Sequence, residues 1–201
     1  MAVFDKIEAF LFDLDGTLLD SDNAAVEKLA RRLKRLRVRH AHRRARRLVM
    51  AAETPANTLL TGLDLLGLDS TLMGLSDRLN HWQGHRTPDS FQMVPGIDLA
   101  LRTLHGRYRL GVVTTRGRRD AERFLTQFEL RPLMEVVITR ESTLRLKPHP
   151  APVLRAVREL GLSPGRCVMV GDTTVDVRSA RRAGAVAIAV LCGFGEQDEL
   201  E

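Results

Sequence analysis

The hydrophobic pattern along the chain changes its period twice. Residues 8–14, EAFLFDL, form a short apolar run bounded by a glycine, which predicts a buried β-strand. From about residue 20 to 93 the pattern becomes helical, as in the recurrence of Leu29, Leu33 and Leu36 at nearly 3.6-residue spacing. No strand pattern interrupts this block, so we expect it to be entirely helical.

After residue 96 predicted strands and helices alternate. The helices are expected at 97–105, 118–128, 151–160 and 175–183, and the strands at 108–115, 135–139, 166–172 and 185–191. This alternation predicts βαβ units and a parallel sheet, which the strand at 8–14 would complete. We therefore predict an α/β protein with a doubly wound parallel-sheet core, formed by residues 1–18 and 94–201. The helical block at 19–93 would be a cap domain inserted into that core.

Polar side chains follow the predicted strands at the edge where ligands of parallel sheets bind. They are Asp13, Asp15, Thr114, Thr115 and Asp172, with Lys147 in a nearby loop. Carboxylate oxygens suit Mg²⁺, and a lysine suits a phosphoryl group. Clustered carboxylates also favour a neutralising cation, and an aspartate can attack phosphorus directly. The set predicts a site for a phosphoryl group and a divalent cation.

Four stretches carry a family resemblance. In order, DLDGTLLDS, VVTTRG, LKPHP and VGDTTVDVRSARRAG resemble the four motifs of the haloacid dehalogenase superfamily. The helical insert after the first motif is similar to the cap of its phosphoglycolate phosphatase-like branch. The resemblance spans nearly the whole chain, and four motifs in the right order make it specific.

The resemblance implies a role for each motif residue. Asp13 would be the nucleophile and Asp15 the general acid and base, while Thr114 and Lys147 would hold the phosphoryl oxygens. The Mg²⁺ ligands would be the side chains of Asp13 and Asp172 and the backbone carbonyl of Asp15, with Asp176 supporting them from a second shell or through water. Thr115 stands where many relatives have asparagine; it could still offer phosphate a hydrogen bond, and the following Arg116 could alter which leaving group is accepted.

The expected function is Mg²⁺-dependent hydrolysis of a small phosphomonoester through an aspartyl-phosphate. The substrate would be phosphoglycolate-like, a phosphosugar or a nucleotide monophosphate. A phosphosugar mutase of the β-phosphoglucomutase type is an alternative, because it would use the same core. A module that binds nucleic acid or protein through an arginine-rich cap is an alternative from another class.

The chain carries a formal net charge of +6, and much of the positive charge lies in the cap run KLARRLKRLRVRHAHRRARRL. We interpret this run as an amphipathic helix with a basic outer face, since a basic stripe alone lacks specificity for nucleic acid. The expected partner is a small phosphorylated metabolite, and the expected assembly is a monomer or weak dimer.

The composition fits a cytoplasmic protein without a membrane partner. No apolar run approaches the length of a membrane span, and the N-terminus shows no secretory pattern. The two cysteines, Cys167 and Cys192, lie outside any metal-binding motif, so we expect buried, reduced thiols.

Overall fold

The fold is described from a computed structural model, which covers residues 6–20, 29–36, 38, 40–41, 91–193 and 195. The chain divides into two compact units. One combines residues 1–20 with 90–201, and the other comprises residues 21–89.

The first unit is built on a five-stranded parallel sheet. Its strands are β1 (Ala9–Phe12), β2 (Arg109–Val113), β3 (Met134–Ile138), β4 (Cys167–Gly171) and β5 (Val186–Ala189). The strand order is β3-β2-β1-β4-β5, so the first strand of the chain lies at the centre. Ala9 is paired with Arg109 on one side and with Cys167 on the other.

Four helices cover the two faces of the sheet. They are α1 (Ile97–His105), α2 (Arg118–Gln127), α3 (Ala151–Glu159) and α4 (Thr174–Ala183). Because side chains alternate along a strand, Phe10 and Phe12 join the core formed with α1 and α2, while Ala9 and Leu11 join the core formed with α3 and α4. Both faces of the central strand are therefore buried, which is why its sequence is continuously apolar.

The predicted α/β fold with a doubly wound parallel sheet is confirmed. All five strands and four helices lie where the pattern placed them, with ends that differ by one or two residues. The strand predicted at 108–115 is shorter because β2 ends at Val113 and leaves Thr114 and Thr115 in the loop. The strand predicted at 166–172 likewise ends before Asp172.

In the second unit, the structure describes a short helical stretch at residues 29–35. Ala30 is buried there, with Leu29 and Leu33 packed against it, as the helical spacing predicts. Leu36, which the same spacing placed with them, is 74% exposed because it lies in the turn after the stretch ends. Most of the predicted cap at 19–93 lies outside the described residues, and its role as a cap stays a prediction.

Among the residues that the structure describes, no helix has the length and apolar character needed to cross a membrane. Neither cysteine forms a disulfide, but only Cys167 is buried. The expectation of two buried thiols is wrong for Cys192, because it lies in the loop after β5 rather than in the sheet.

Candidate active site

The candidate site lies at the carboxyl ends of the central strands. Asp13 directly follows β1, Thr114 follows β2 and Asp172 follows β4. Parallel pairing of these three strands brings their ends to one edge of the sheet, as the sequence predicts. The loop between β3 and α3 adds Lys147, which is buried at the same edge.

Lys147 connects two of the carboxylates. Its Nζ donates hydrogen bonds to Asp13 Oδ1 at 2.7 Å, to Asp176 Oδ1 at 2.6 Å and to the carbonyl oxygen of Val113 at 2.9 Å. Only 3% of the lysine side chain is exposed. Burial alone would lower the pKa of Lys147, but the two carboxylates outweigh it and raise the pKa, so the ammonium stays charged.

Three buried carboxylates form a group that fits a divalent cation. Asp13, Asp172 and Asp176 each offer an oxygen, and these oxygens lie within 4.8 Å of one another. Oxygen-only donors are the ligands that Mg²⁺ prefers. Lys147 contributes one positive charge against three carboxylates, so the cluster of these four residues has a net negative charge that a divalent cation would neutralise.

The electrostatics of Asp13 lead to the same inference. Burial raises the pKa of Asp13 well above its ordinary value of 3.8, and repulsion from Asp176 and Asp15 raises it further, against the opposing effect of Lys147. A nucleophilic carboxylate must be ionised to attack. A cation bound beside Asp13 would favour the ionised form.

Glycines allow the backbone to approach these carboxylates closely. A Cβ at Gly16, where φ is +74°, would lie 2.3 Å from Asp172 Oδ2, and a Cβ at Gly193 would lie 2.1 Å from the same atom. Asp172 also accepts a hydrogen bond from the hydroxyl of Thr17 at 3.2 Å. The local chain is therefore shaped around the Asp172 carboxylate.

Asp176 is fixed by the start of helix α4. Its Oδ2 accepts hydrogen bonds from the backbone N–H of Thr173 at 3.2 Å and from the Thr173 hydroxyl at 2.6 Å, in a capping box. Its other oxygen faces Lys147. One residue thus caps the helix and holds the lysine, and its supporting role at a metal stays a prediction.

Asp15 stands apart from the three carboxylates and pairs with Arg116. Arg116 Nε donates to Asp15 Oδ2 at 3.0 Å, and Arg116 Nη2 donates to Asp15 Oδ1. The Asp15 side chain is 31% exposed and the Arg116 side chain is 21% exposed, so the pair reaches solvent. The metal-binding prediction for Asp15 concerns its backbone carbonyl, and the carboxylate is engaged elsewhere.

The two threonines after β2 differ in environment. Thr114 is buried, and its hydroxyl accepts a hydrogen bond from the backbone N–H of Arg116 at 3.0 Å. Thr115 is exposed, and its side chain makes no hydrogen bond with any residue in the described part of the chain. The phosphate-binding roles of both residues stay predictions.

Sequence reasoning missed three features of the site. The hydroxyl of Thr17 on Asp172, the capping of Asp176 by Thr173 and the pairing of Arg116 with Asp15 were not predicted. Only the second had a signal, because Thr173 stands three residues before Asp176, which is the spacing of a capping box. The first and the third had none, since each joins residues more than one hundred positions apart and depends on the folded sheet.

The family model described as haloacid dehalogenase-like hydrolase matches residues 10–190. The chain belongs to the haloacid dehalogenase-like hydrolases. The match includes both predicted motif aspartates after β1, the lysine loop and the acidic motif after β4, so the resemblance read from the sequence is confirmed. The prediction of an enzyme from this family is confirmed with it.

Relatives of this hydrolase carry phosphatase names. It is 29% identical to the pyrophosphatase PpaX of Bacillus pumilus over 197 residues, which cover 96% of this chain and 88% of the relative. It is 32% identical to a phosphoglycolate phosphatase of Nitrosococcus oceani over 103 residues, or 51% and 46% of the two chains. A solved hydrolase of subfamily IA from Geobacter sulfurreducens superposes with a TM-score of 0.58 at 27% identity, covering 92% of this chain and 87% of that one.

Proposed function

We propose that this hydrolase is a Mg²⁺-dependent phosphatase that cleaves a small phosphomonoester through an aspartyl-phosphate on Asp13. The single observation that supports it most is the position of Lys147, whose ammonium links Asp13 to Asp176 inside the buried carboxylate group. A cation on the nucleophile and a carboxylate group for a metal are what phosphoryl transfer by an aspartate requires.

The first half-reaction would use Asp13 and Asp15. A carboxylate oxygen of Asp13 attacks phosphorus and forms a new P–O bond, while the bond from phosphorus to the leaving oxygen breaks. Asp15 gives its proton to that oxygen, so the leaving molecule departs with a hydroxyl group instead of a negatively charged oxygen. Lys147, already on Asp13, would stabilise the phosphoryl charge, and the Thr114 hydroxyl would donate to a phosphoryl oxygen.

The second half-reaction restores the enzyme. Asp15, now a carboxylate, takes a proton from water as the water oxygen attacks phosphorus. The bond between phosphorus and the Asp13 oxygen breaks, releasing inorganic phosphate and the free Asp13 carboxylate. Asp15 holds the proton again and is ready for the next leaving group.

Asp13 and Asp172 would hold the Mg²⁺ ion, with Asp176 beside them. The bound ion would supply positive charge that screens the phosphate from the carboxylates and stabilises the charge that develops during transfer. The three oxygens within 4.8 Å of one another and the all-oxygen donor set are the observations that support this cofactor. The relatives' names, phosphoglycolate phosphatase and pyrophosphatase, support a small phosphorylated metabolite as the substrate.

The test is phosphate release from a panel of phosphorylated metabolites in the presence of Mg²⁺. We expect turnover by the wild-type protein, loss of at least about a thousandfold in Asp13→Asn, and retention in Asp98→Asn, which removes an exposed carboxylate of helix α1. Undiminished turnover in Asp13→Asn would contradict the assignment of the nucleophile. Sugar-phosphate isomers formed without phosphate release would indicate the mutase alternative instead.

A further inference from the structure

Arg116 is a second cation at the edge of the site, with a side chain that is partly buried, and no step of the proposed reaction uses it. It follows the threonines after β2, and its guanidinium pairs with both oxygens of Asp15. Lys147 lies on the nucleophile Asp13, so each of the two proposed catalytic carboxylates carries one cation. Lys147 therefore lies where the transferred phosphoryl group would bind, and Arg116 lies on the side of the leaving group.

The guanidinium is held in place from several sides. Its carbon lies 6.0 Å from the centre of the Phe91 ring, within the range of a cation–π contact. Its backbone N–H donates to Thr114, and its backbone carbonyl accepts from the N–H of Arg140 at 3.3 Å. Arg116 is thus a positioned side chain rather than a freely rotating surface arginine.

The two cations differ in their remaining hydrogen-bonding capacity. All three N–H donors of Lys147 are accounted for by Asp13, Asp176 and the Val113 carbonyl, and the side chain is buried. Arg116 has donors that make no hydrogen bond. Its Nη1 forms an ion pair with the Asp120 carboxylate at 3.8 Å but makes no hydrogen bond with any residue in the described ranges, and 21% of the side chain is exposed. A guanidinium whose N–H groups are not all hydrogen-bonded can bind a further anion.

We infer that Arg116 is a specificity-determining residue that binds an anionic group on the leaving group of the substrate. This inference rests on the proposed function, because it takes Asp15 to be the acid that protonates the leaving oxygen. A guanidinium on Asp15 then lies beside the leaving group. The preferred substrates are phosphate compounds whose leaving group carries its own charge, either a second phosphate or a carboxylate.

Binding of phosphonates that cannot be hydrolysed tests this inference without relying on turnover. Methylphosphonate has one anionic group, methylenediphosphonate adds a second phosphonate, and phosphonoacetate adds a carboxylate. Titration calorimetry in Mg²⁺ buffer would compare the three for the wild-type protein and for Arg116→Gln. The matched control is Arg123→Gln, since Arg123 also lies over the Phe91 ring, at 5.8 Å, but is exposed and has no contact with Asp15 among the described residues.

We expect Arg116→Gln to weaken binding of a two-anion phosphonate about tenfold or more, and binding of methylphosphonate by less than about twofold. Arg123→Gln should leave all three affinities near wild type. Arg116→Lys, which keeps the charge but loses the planar fork, should retain part of the preference and guards against misfolding of the glutamine variant. If methylenediphosphonate loses more affinity in Arg116→Gln, the favoured group is a second phosphate. If phosphonoacetate loses more affinity, the favoured group is a carboxylate.

Other results would overturn the inference. Equal losses for methylphosphonate and the two-anion ligands, or no loss for any of them, would assign Arg116 only to holding Asp15 and would leave the proposed phosphatase intact. A wild-type protein that binds none of the three phosphonates would contradict the proposed function and the inference together.

Discussion

Replacement of Lys147 by methionine tests the buried charge cluster directly. Methionine fills a similar volume, but it removes the ammonium that lies 2.7 Å from Asp13 and 2.6 Å from Asp176. The exposed fractions of the three side chains are 3%, 11% and 2%, so water cannot replace the lost cation. Breaking a buried ion pair by removing one partner costs about 3–5 kcal/mol, and we expect Lys147→Met to lower the free energy of unfolding by that amount.

The measurement is urea denaturation followed by circular dichroism, in EDTA and again in saturating Mg²⁺. Because a bound divalent cation would neutralise the same carboxylates, the loss should be smaller in Mg²⁺ than in EDTA. Lys6→Met is the control, since Lys6 is exposed and its replacement should change stability by less than about 0.5 kcal/mol. A loss below about 1 kcal/mol in EDTA for Lys147→Met would refute the claim that this lysine neutralises the buried carboxylates.

Three other predictions concern stability. Burial raises the folded-state pKa of Asp13 above 3.8, so the protonated carboxyl favours the folded state. The resulting contribution to the free energy of unfolding is present below about pH 4 and is lost as the pH rises through the folded-state pKa. Urea titrations in EDTA should record that loss, and Asp13→Asn should remove it. A Cβ at Gly171 would lie 2.4 Å from Asp176 Cβ, so Gly171→Ala should lower the free energy of unfolding by about 1–3 kcal/mol. A Cβ at Gly165 would have nothing within 4 Å, so Gly165→Ala should change thermal stability little, and equal effects of the two substitutions would contradict the crowding at Gly171. Phe124 of α2 is fully buried in the core between its helix backbone and the sheet. Phe124→Ala should lower the free energy of unfolding by about 3–5 kcal/mol in the same urea assay, and a loss below about 1 kcal/mol would be inconsistent with this packing.

The sheet was predictable because each strand carries its own local signal. The strands at β1 and β4 are continuously apolar, as strands covered on both faces must be, and each is followed by a polar residue that ends the run. Leu36 shows the limit of such patterns. Its spacing matches a helix face, but periodicity does not indicate where a helix stops, and the stretch ends one residue earlier.

The site was predictable as far as strand ends determine it. Asp13, Thr114 and Asp172 meet because parallel strands bring their carboxyl ends together, which follows from the topology alone. The direction in which a loop side chain points does not follow from topology. Lys147 and Arg116 both lie in loops, and only the folded backbone decides that one pairs with Asp13 and the other with Asp15.

The central place of β1 has a consequence for biosynthesis. This strand leaves the ribosome before the other four strands of the sheet, yet its two neighbours lie about one hundred or more residues further along the chain. At roughly 5–20 residues per second, its backbone waits several seconds before β2 emerges and longer before β4 does. During that interval an apolar segment with both hydrogen-bonding edges open is exposed to other chains. The nascent protein is then vulnerable to aggregation, and the segment at risk is the one that leads to Asp13, the proposed nucleophile.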